Sequence, residues 1–347
     1  MFKMGIIGCG RVVETGHTPA LKSLKEDGLV KVVSLADPAE ERRKAIGDAF
    51  SVPEKCRYES HSQMLDDEAL DFVDIALPHF LHGKVTIDCA RTGVNIISEK
   101  PLATNLAEAD SIIKACDEAG VTLAVLHNYR YNPAMRKALE LARAGEIGEV
   151  FLVRYEGLGG SHWHGTEAYD PDWRTKKARA GGGCLIDNAY HNIYLVREFM
   201  ASGIVGVYAQ IETYARPIDV DDTALVLFRH ENRGTSSIQV SWGVSARGRG
   251  MREVHGKEGS IVIGRDDKPL GLYKNSTGEW TYPEVEAEYE NSFAGIMADI
   301  FQAVERDEPV PTDGLEARRN LEAVMAAYQS AERGEAVKVN IPAPVSK

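Results

Sequence analysis

Two glycines, a lone carboxylate, a lysine at a strand end and an acid–histidine pair are the residues whose types and spacing can do chemistry. Gly8-Cys9-Gly10 follows the apolar run Met4–Ile7 and precedes a helix-like stretch beginning at Arg11 and Val12. A strand, a glycine turn and a helix N-terminus together hold a pyrophosphate on main-chain N–H groups. The third small residue of a G-x-G-x-x-G/A fingerprint is replaced by Val13, which is expected to loosen the packing of that helix. Asp37 ends a second strand-like run, Ser34–Asp37, and can accept both ribose hydroxyls of NAD while repelling the 2′-phosphate of NADP. As the residue before Pro38 it also reads as a plain turn residue. Arg42 and Arg43 offer a phosphate contact, so NAD is expected and NADP is the second choice.

Lys100 stands in Glu99-Lys100-Pro101, at the end of the apolar run Val94–Ser98. Most lysines are solvated surface charges. This one is held by a proline, a residue type that admits a cis bond. Beside an oxidised nicotinamide, positive potential and desolvation both lower a lysine pKa and suit it to proton transfer at a hydroxyl. Asp187 and His191 lie four apart and share a face of a helix. An acid beside an imidazole tunes it for exchange of an alcohol proton, although an idle surface pair has the same spacing. Gly181-Gly182-Gly183 precede them and allow main chain to approach a ligand closely. His79 and His82, after Pro78, read equally well as loop residues or as lining of the nicotinamide pocket.

These residues need a scaffold, and the first third supplies one. Lys3–Ile7, Val30–Ala36, Phe72–Leu77, Asn95–Ser98 and Thr122–Leu126 are short, apolar and rich in Val, Ile and Leu, as strands covered on both faces should be. Helices fall between them, the clearest over Leu106–Ala119 with Asn105 as cap, Glu108 at the third position and Gly120 at the end. Alternation of this kind implies a parallel sheet with right-handed crossovers. Beyond residue 150, Phe151–Tyr155, Val205–Ile211, Thr223–Phe228, Thr235–Trp242, Met251–His255, Ser260–Gly264 and Val337–Ile341 read as strands of a mostly antiparallel sheet. Several alternate apolar with polar residues, which leaves one face for solvent or a second subunit. Helices are expected over Cys184–Met200, Asn291–Arg306 and Leu315–Arg333. The class is therefore α/β followed by α+β.

Composition narrows the rest. A chain of 347 residues has room for about two domains. A net charge of −12 argues against a nucleic-acid surface or a polybasic membrane anchor. Five cysteines without a C-x-x-C pair suggest reduced thiols, and the absence of a long apolar run or a visible leader suggests a cytoplasmic protein.

Taken in order and spacing, Gly8-x-Gly10, Asp37, Glu99-Lys100-Pro101 and Gly-Gly-Gly-x-Leu-x-Asp187-x-x-x-His191 resemble the glucose–fructose oxidoreductase / inositol dehydrogenase (Gfo/Idh/MocA) family. The likeness extends through Asn128-Tyr129-Arg130, Gly145-x-x-Gly148, Gly256-x-x-Gly259-Ser260 and the helix around Tyr328-Gln329-Ser330-Ala331. It implies a Rossmann domain over residues 1–126 and a substrate-binding, oligomerising domain over 127–347 built on a large open-faced sheet. It also implies a homodimer or homotetramer and a catalytic set mapping onto Lys100, Asp187 and His191. Cofactor contacts are expected from Gly8, Gly10, Arg11, Val12, Asp37, Pro78, His82, Glu99 and Lys100. Substrate contacts are expected from Asn128, Arg130, Trp163, Arg174, Asp187 and His191, with Trp163 stacking on a sugar face and Arg174 holding a hydroxyl or carboxylate.

The implied reaction is hydride transfer between NAD and a sugar, sugar-acid or cyclitol carbinol, with His191 taking the hydroxyl proton while Lys100 and Asp187 hold the oxygen. A redox-neutral NAD-dependent glycoside hydrolase is the alternative, and a sugar-sensing regulator of the same fold is a third reading. Many members carry an acid three residues after the histidine. Here that position is Tyr194, so the histidine is expected to lack an orienting partner and the pocket to be more apolar. His162-x-His164 is metal-like, but no third ligand stands at matching spacing and no metal is expected. Lys176, Lys177 and Arg179 read as a solvated face or a subsite, and Arg247, Arg249 and Arg252 are equally ambiguous.

Overall fold

The computed structural model describes residues 1–245, 250–265 and 267–344, so Arg247 and Arg249 lie outside the described residues. Six strands form the first sheet: β1 (Phe2–Ile7), β2 (Val30–Ala36), β3 (Arg57–Tyr58), β4 (Phe72–Ile75), β5 (Asn95–Ser98) and β6 (Leu123–Val125). They are all parallel, in the order β3-β2-β1-β4-β5-β6. Strand order reverses between β1 and β4, and ligands bind doubly wound sheets at the carboxyl edge of such a switch point. Helices α1 (Thr18–Glu26), α2 (Glu40–Phe50), α3 (His61–Asp67), α4 (His79–Arg91) and α5 (Leu106–Ala119) make the crossovers. The α5 termini are as the sequence predicts: Asn105 accepts the Glu108 N–H at 3.0 Å, and Gly120 ends the helix at φ +66°.

After α6 (Pro133–Arg143) the chain enters a nine-stranded sheet made of β7 (Val150–Leu158), β8 (Ile204–Glu212), β9 (Thr223–His230), β10 (Thr235–Ser241), β11 (Arg252–Gly256), β12 (Gly259–Arg265), β13 (Lys268–Lys274), β14 (Glu279–Thr281) and β15 (Val337–Ile341). Its order is β14-β13-β12-β11-β7-β10-β9-β8-β15, and only β7 and β10 run parallel. One face is packed under α8 (Tyr190–Met200) and α10 (Gly314–Arg333). On the other face Tyr208, Leu225 and Leu227 stay exposed. A one-turn helix, α7 (Lys177–Ala180), lies in the connection between β7 and α8.

One helix crosses the expected division. α9 (Ser292–Glu305) follows β14 in sequence, yet Ile296, Met297, Ile300 and Phe301 share an apolar cluster with Met4, Ile6, Leu21 and Phe72. The Phe301 ring meets Phe72 edge-on, centroids 5.1 Å apart. The core of the first sheet is thus not confined to residues 1–126.

Candidate active site

The carboxyl ends of β1 and β4 open into a cavity of about 510 Å³, closed from the other side by residues 163–174 and by the segment carrying Asp187 and His191. The cofactor half begins at the glycine turn. Gly8 has φ +91°, and a Cβ there would sit 2.4 Å from the Ala76 carbonyl oxygen, so only glycine fits. A Cβ on Gly10 would meet nothing within 4 Å, because its α-carbon faces the cavity. Arg11 and Val12 line the same cavity and open the helix. Val13 is fully buried at the start of one wide, π-type turn, Val13–His17, that leads into α1. Within that turn Gly16 packs against α9, a Cβ there falling 2.6 Å from the Phe293 ring.

Asp37 lies at the end of β2 and lines the cavity. Its oxygens accept the Cys9 N–H at 2.7 Å and the Ala39 N–H at 2.8 Å, which leaves lone pairs for hydroxyls. Arg42 donates Nε to the Cys9 carbonyl at 2.8 Å and pairs with Glu14 at 2.9 Å. Arg43 donates to the Asp37 and Pro38 carbonyls at 2.7 and 3.0 Å. Both guanidinium groups therefore brace the turn rather than stand free for a phosphate. The cradle at Gly10, the helix N-terminus and the free lone pairs of Asp37 fit NAD.

At the other end, Lys100 and Asp187 meet from opposite halves of the chain. Lys100 Nζ donates to the Asp187 carboxylate at 3.0 Å and to its main-chain carbonyl at 2.9 Å. Its peptide bond to Pro101 is cis. The second Asp187 oxygen lies 3.4 Å from Arg174 Nε, and the Arg174 guanidinium lies over the Trp173 ring, 4.2 Å from its centroid. Burial acts to raise the Asp187 pKa, but the Lys100 and Arg174 charges outweigh it and hold the carboxyl well below its usual range. His191 lines the cavity one helical turn on. Burial, then the Lys100 charge, depress its pKa well below 6.5, so the ring is neutral at physiological pH.

The Asp187 segment is itself a wide turn, Leu185–Ala189, continuous with α8. Asp221 ties it down by accepting the Gly183 and Leu185 N–H groups at 2.7 and 2.8 Å and the Tyr328 hydroxyl at 2.8 Å. This assigns the glycine run a different task from the one its sequence suggests. A Cβ on Gly183 would fall 1.9 Å from the Asp221 carbonyl oxygen and one on Gly182 would fall 2.0 Å from Tyr328 Oη. The close approach is to protein, not ligand.

Three further expectations change. His82 is buried beneath the cavity, its ring nitrogens 2.7 Å from the Pro101 carbonyl and 2.8 Å from that of Leu77, whereas His79 and Pro78 reach the lining. Arg130 turns inward, pairing with Glu198 at 2.8 Å and donating to Thr312 at 3.3 Å, while its neighbours Asn128 and Tyr129 line the cavity. Tyr194 does not leave His191 without a partner, because its hydroxyl lies 2.9 Å from His191 Nδ1.

Trp163 is half exposed at the cavity edge, with Arg11 over its ring at 5.8 Å. Asp172 supplies a third polar side chain to His162 and His164, 3.1 and 3.2 Å away. The third candidate ligand that the sequence spacing did not show is thus present, the three ligand atoms lying within 4.8 Å of one another, while Arg216 donates to His162 Nδ1 at 3.2 Å. Lys176 and Arg179 pair with Asp170 at 2.5 and 2.6 Å, and Arg252 lies over the Tyr155 ring at 5.4 Å.

One group gave no warning in the sequence. His17, at the end of the first wide turn, has Nδ1 2.8 Å from Asp74 and Nε2 3.0 Å from Glu99, with no solvent exposure. Two carboxylates accept only, so the ring carries both protons. Burial opposes the charge, but Asp74 and then Glu99 overcome it and raise the pKa to about 10. Glu99 also accepts the Lys100 N–H at 3.1 Å, which links the buried imidazolium to the lysine's main chain.

Comparison with known proteins gives the family and the fold. Residues 2–127 match a family model described as "Oxidoreductase family, NAD-binding Rossmann fold", and residues 135–262 match the GFO/IDH/MocA C-terminal domain. The chain belongs to the GFO/IDH/MocA oxidoreductase family. Its relatives include a D-apiose dehydrogenase of Paraburkholderia graminis, 28% identical over 97% of this chain and 90% of that one. A levoglucosan dehydrogenase of Pseudarthrobacter phenanthrenivorans is 32% identical over 58% of this chain and 57% of its own length. Aldose-aldose oxidoreductase from Caulobacter crescentus, solved with glycerol, superposes with a TM-score of 0.86 over 97% of this chain and 99% of that chain, at 23% identity, a likeness of fold.

Proposed function

We propose that the protein is an NAD-dependent dehydrogenase acting on the CH–OH group of a sugar, sugar acid or cyclitol. The observation that carries this reading is the meeting of Lys100 with Asp187 at 3.0 Å, beside His191, in one cavity whose other end is Gly10 and Asp37. NAD, when bound, supplies the hydride acceptor. Asp187 aims Lys100, and is itself kept ionised by Lys100 and Arg174. Lys100 and His191 hold the substrate oxygen between them while its proton is exchanged, help that typically contributes about 10²- to 10⁴-fold. Trp163, Arg174 and Asn128 are proposed as substrate contacts. Gly8, Gly10, Arg11, Val12, Asp37, Pro78 and Glu99 are proposed around NAD. The related sugar dehydrogenases support the substrate class.

The division of labour we propose is NAD on residues 1–126 and substrate and assembly on 127–347, with α9 completing the first core. Exposed Tyr208 and Leu227 are paired neighbours on the open sheet face, with Leu225 two residues along. They support a homodimer or homotetramer, to be read by sedimentation velocity. The free cysteines fit a reducing cytoplasm, and no described helix is long and apolar enough to cross a membrane. The deciding experiment follows reduced-nicotinamide absorbance with aldoses, cyclitols and sugar acids, offering NAD and NADP separately. A signal that Lys100→Met lowers by about 10³-fold is expected. A silent panel from protein that retains NAD would sink the dehydrogenase in favour of a redox-neutral reaction.

A further inference from the structure

We propose that Tyr194 is a positioning residue that fixes the tautomer of His191, so that the ring offers Nε2–H, a donor, to the pocket. The proposal deepens the dehydrogenase reading and rests on it for its kinetic consequence, though not for its geometry.

The argument is a count of protons. The Tyr194 hydroxyl is fully buried and has two partners among the described residues: the Tyr129 main-chain N–H at 3.0 Å and His191 Nδ1 at 2.9 Å. The Tyr129 N–H can only donate, so the hydroxyl oxygen accepts it. Its own proton then has one acceptor within reach, Nδ1. If Nδ1 carried a proton instead, the hydroxyl proton would be stranded in a buried site, an arrangement that folded proteins avoid. A neutral imidazole carries a single N–H, which is therefore on Nε2.

Among the described residues nothing else hydrogen-bonded to the pair competes for these roles. Tyr129 stacks on His191 with centroids 3.9 Å apart and 10° between planes, fixing the ring's tilt. Lys100 and Asp187 are the charged groups that act on His191. On the far side of Tyr194, His127 stacks at 4.1 Å and directs Nε2 toward Tyr190, while the Arg130 guanidinium, a pure donor, lies 5.5 Å from the ring. A carboxylate touching Nδ1 would do the reverse, because it accepts only, pulling the proton to Nδ1 and leaving Nε2 as a base. With tyrosine in that position, His191 steadies the substrate oxygen by donation. Proton exchange then falls to Lys100 Nζ: as the amine it gives its two N–H groups to Asp187, turns its lone pair to the hydroxyl, and becomes the ammonium on taking that proton.

Histidine-selective ¹⁵N labelling tests this without cofactor or substrate, His191→Gln identifying the resonances. Long-range ¹H–¹⁵N spectra of the wild type at neutral pH are expected to show His191 protonated at Nε2 and bare at Nδ1. Tyr194→Phe is expected to release the lock and populate the Nδ1–H form. A wild-type ring protonated at Nδ1 overturns the proposal, as does a Tyr194→Phe ring indistinguishable from wild type. Kinetics give an independent arm. His191→Gln keeps an N–H donor and should retain activity to within about tenfold, whereas His191→Leu should lose about a hundredfold or more. Equal losses in the two would mean that the ring acts as a base. A protein that shows the Nε2–H form yet turns over no alcohol would upset the dehydrogenase reading and leave the tautomer assignment standing.

Discussion

His17 and His191 are both buried, and each is carried by a helix that opens with one wide turn, yet they end in opposite charge states. His17 has a carboxylate on each ring nitrogen and is an imidazolium with its pKa raised to about 10. His191 has a tyrosine hydroxyl on one nitrogen and the Lys100 charge nearby, and is held neutral. Burial pushes both the same way, so the partners decide. The difference teaches where each can serve. A ring that keeps its proton at neutral pH is a clamp between strands, whereas a neutral ring beside a cavity can meet a substrate.

The strongest way to break this contrast is to remove the clamp. His17→Gln leaves Asp74 and Glu99 as buried carboxylates without their shared cation and is expected to cost about 3–5 kcal/mol in denaturant unfolding. The loss should depend on pH in a defined sense. The folded pKa is raised from 6.5 to about 10, so the His17 contribution is complete below pH 6.5 and fades as pH rises through 10. The gap between wild type and variant should therefore close in alkali. A gap that is constant from pH 6 to pH 10 would mean the ring is not charged.

The counterpart at the other histidine should behave inversely. His191→Leu is expected to lower kcat/KM by about a hundredfold or more while costing only about 1–3 kcal/mol in unfolding, for the Tyr194 hydroxyl left without its acceptor. A large stability loss with preserved turnover would make His191 a second clamp. The smallest effect concerns cofactor choice. Asp37→Ser removes an ionised acceptor, a hydrogen bond worth about 1.5–3 kcal/mol, and should shift the NAD-to-NADP ratio of kcat/KM by about tenfold or more toward NADP. An unchanged ratio would return Asp37 to the role of a turn residue.

How much of this was legible in the sequence follows from how local each feature is. Strands β2, β5 and β15 and helix α5 are found where runs of β-branched residues, a cap and a terminal glycine put them. β3, β13 and β14 were missed: two residues are too few for a pattern, and Lys268–Lys274 carries a proline and a glycine where alternation would be read. Lys100, Asp187 and His191 could be named because motif spacing carries them. His17 could not, since Asp74 and Glu99 lie 57 and 82 residues away and only the sheet order brings them together. His79 and His82 stand three apart on one helix and look alike in sequence, but one turn of α4 carries the first to the cavity and the second beneath it. The triple glycine and Arg130 were misread for a shared reason. Their partners, Asp221 with Tyr328 and Glu198, sit on elements whose approach no local pattern announces.

The return of α9 to the first sheet bears on how the chain is made. On a ribosome, β1 to β6 and their crossover helices emerge long before Ser292–Glu305, so Phe2, Phe72 and Leu21 wait without the Phe301 side of their cover until most of the second sheet has been synthesised. The nucleotide unit is thus first in sequence but cannot be first to finish. Its completion is stitched to the birth of the nine-stranded half, and neither side of the cleft reaches its final form much ahead of the other.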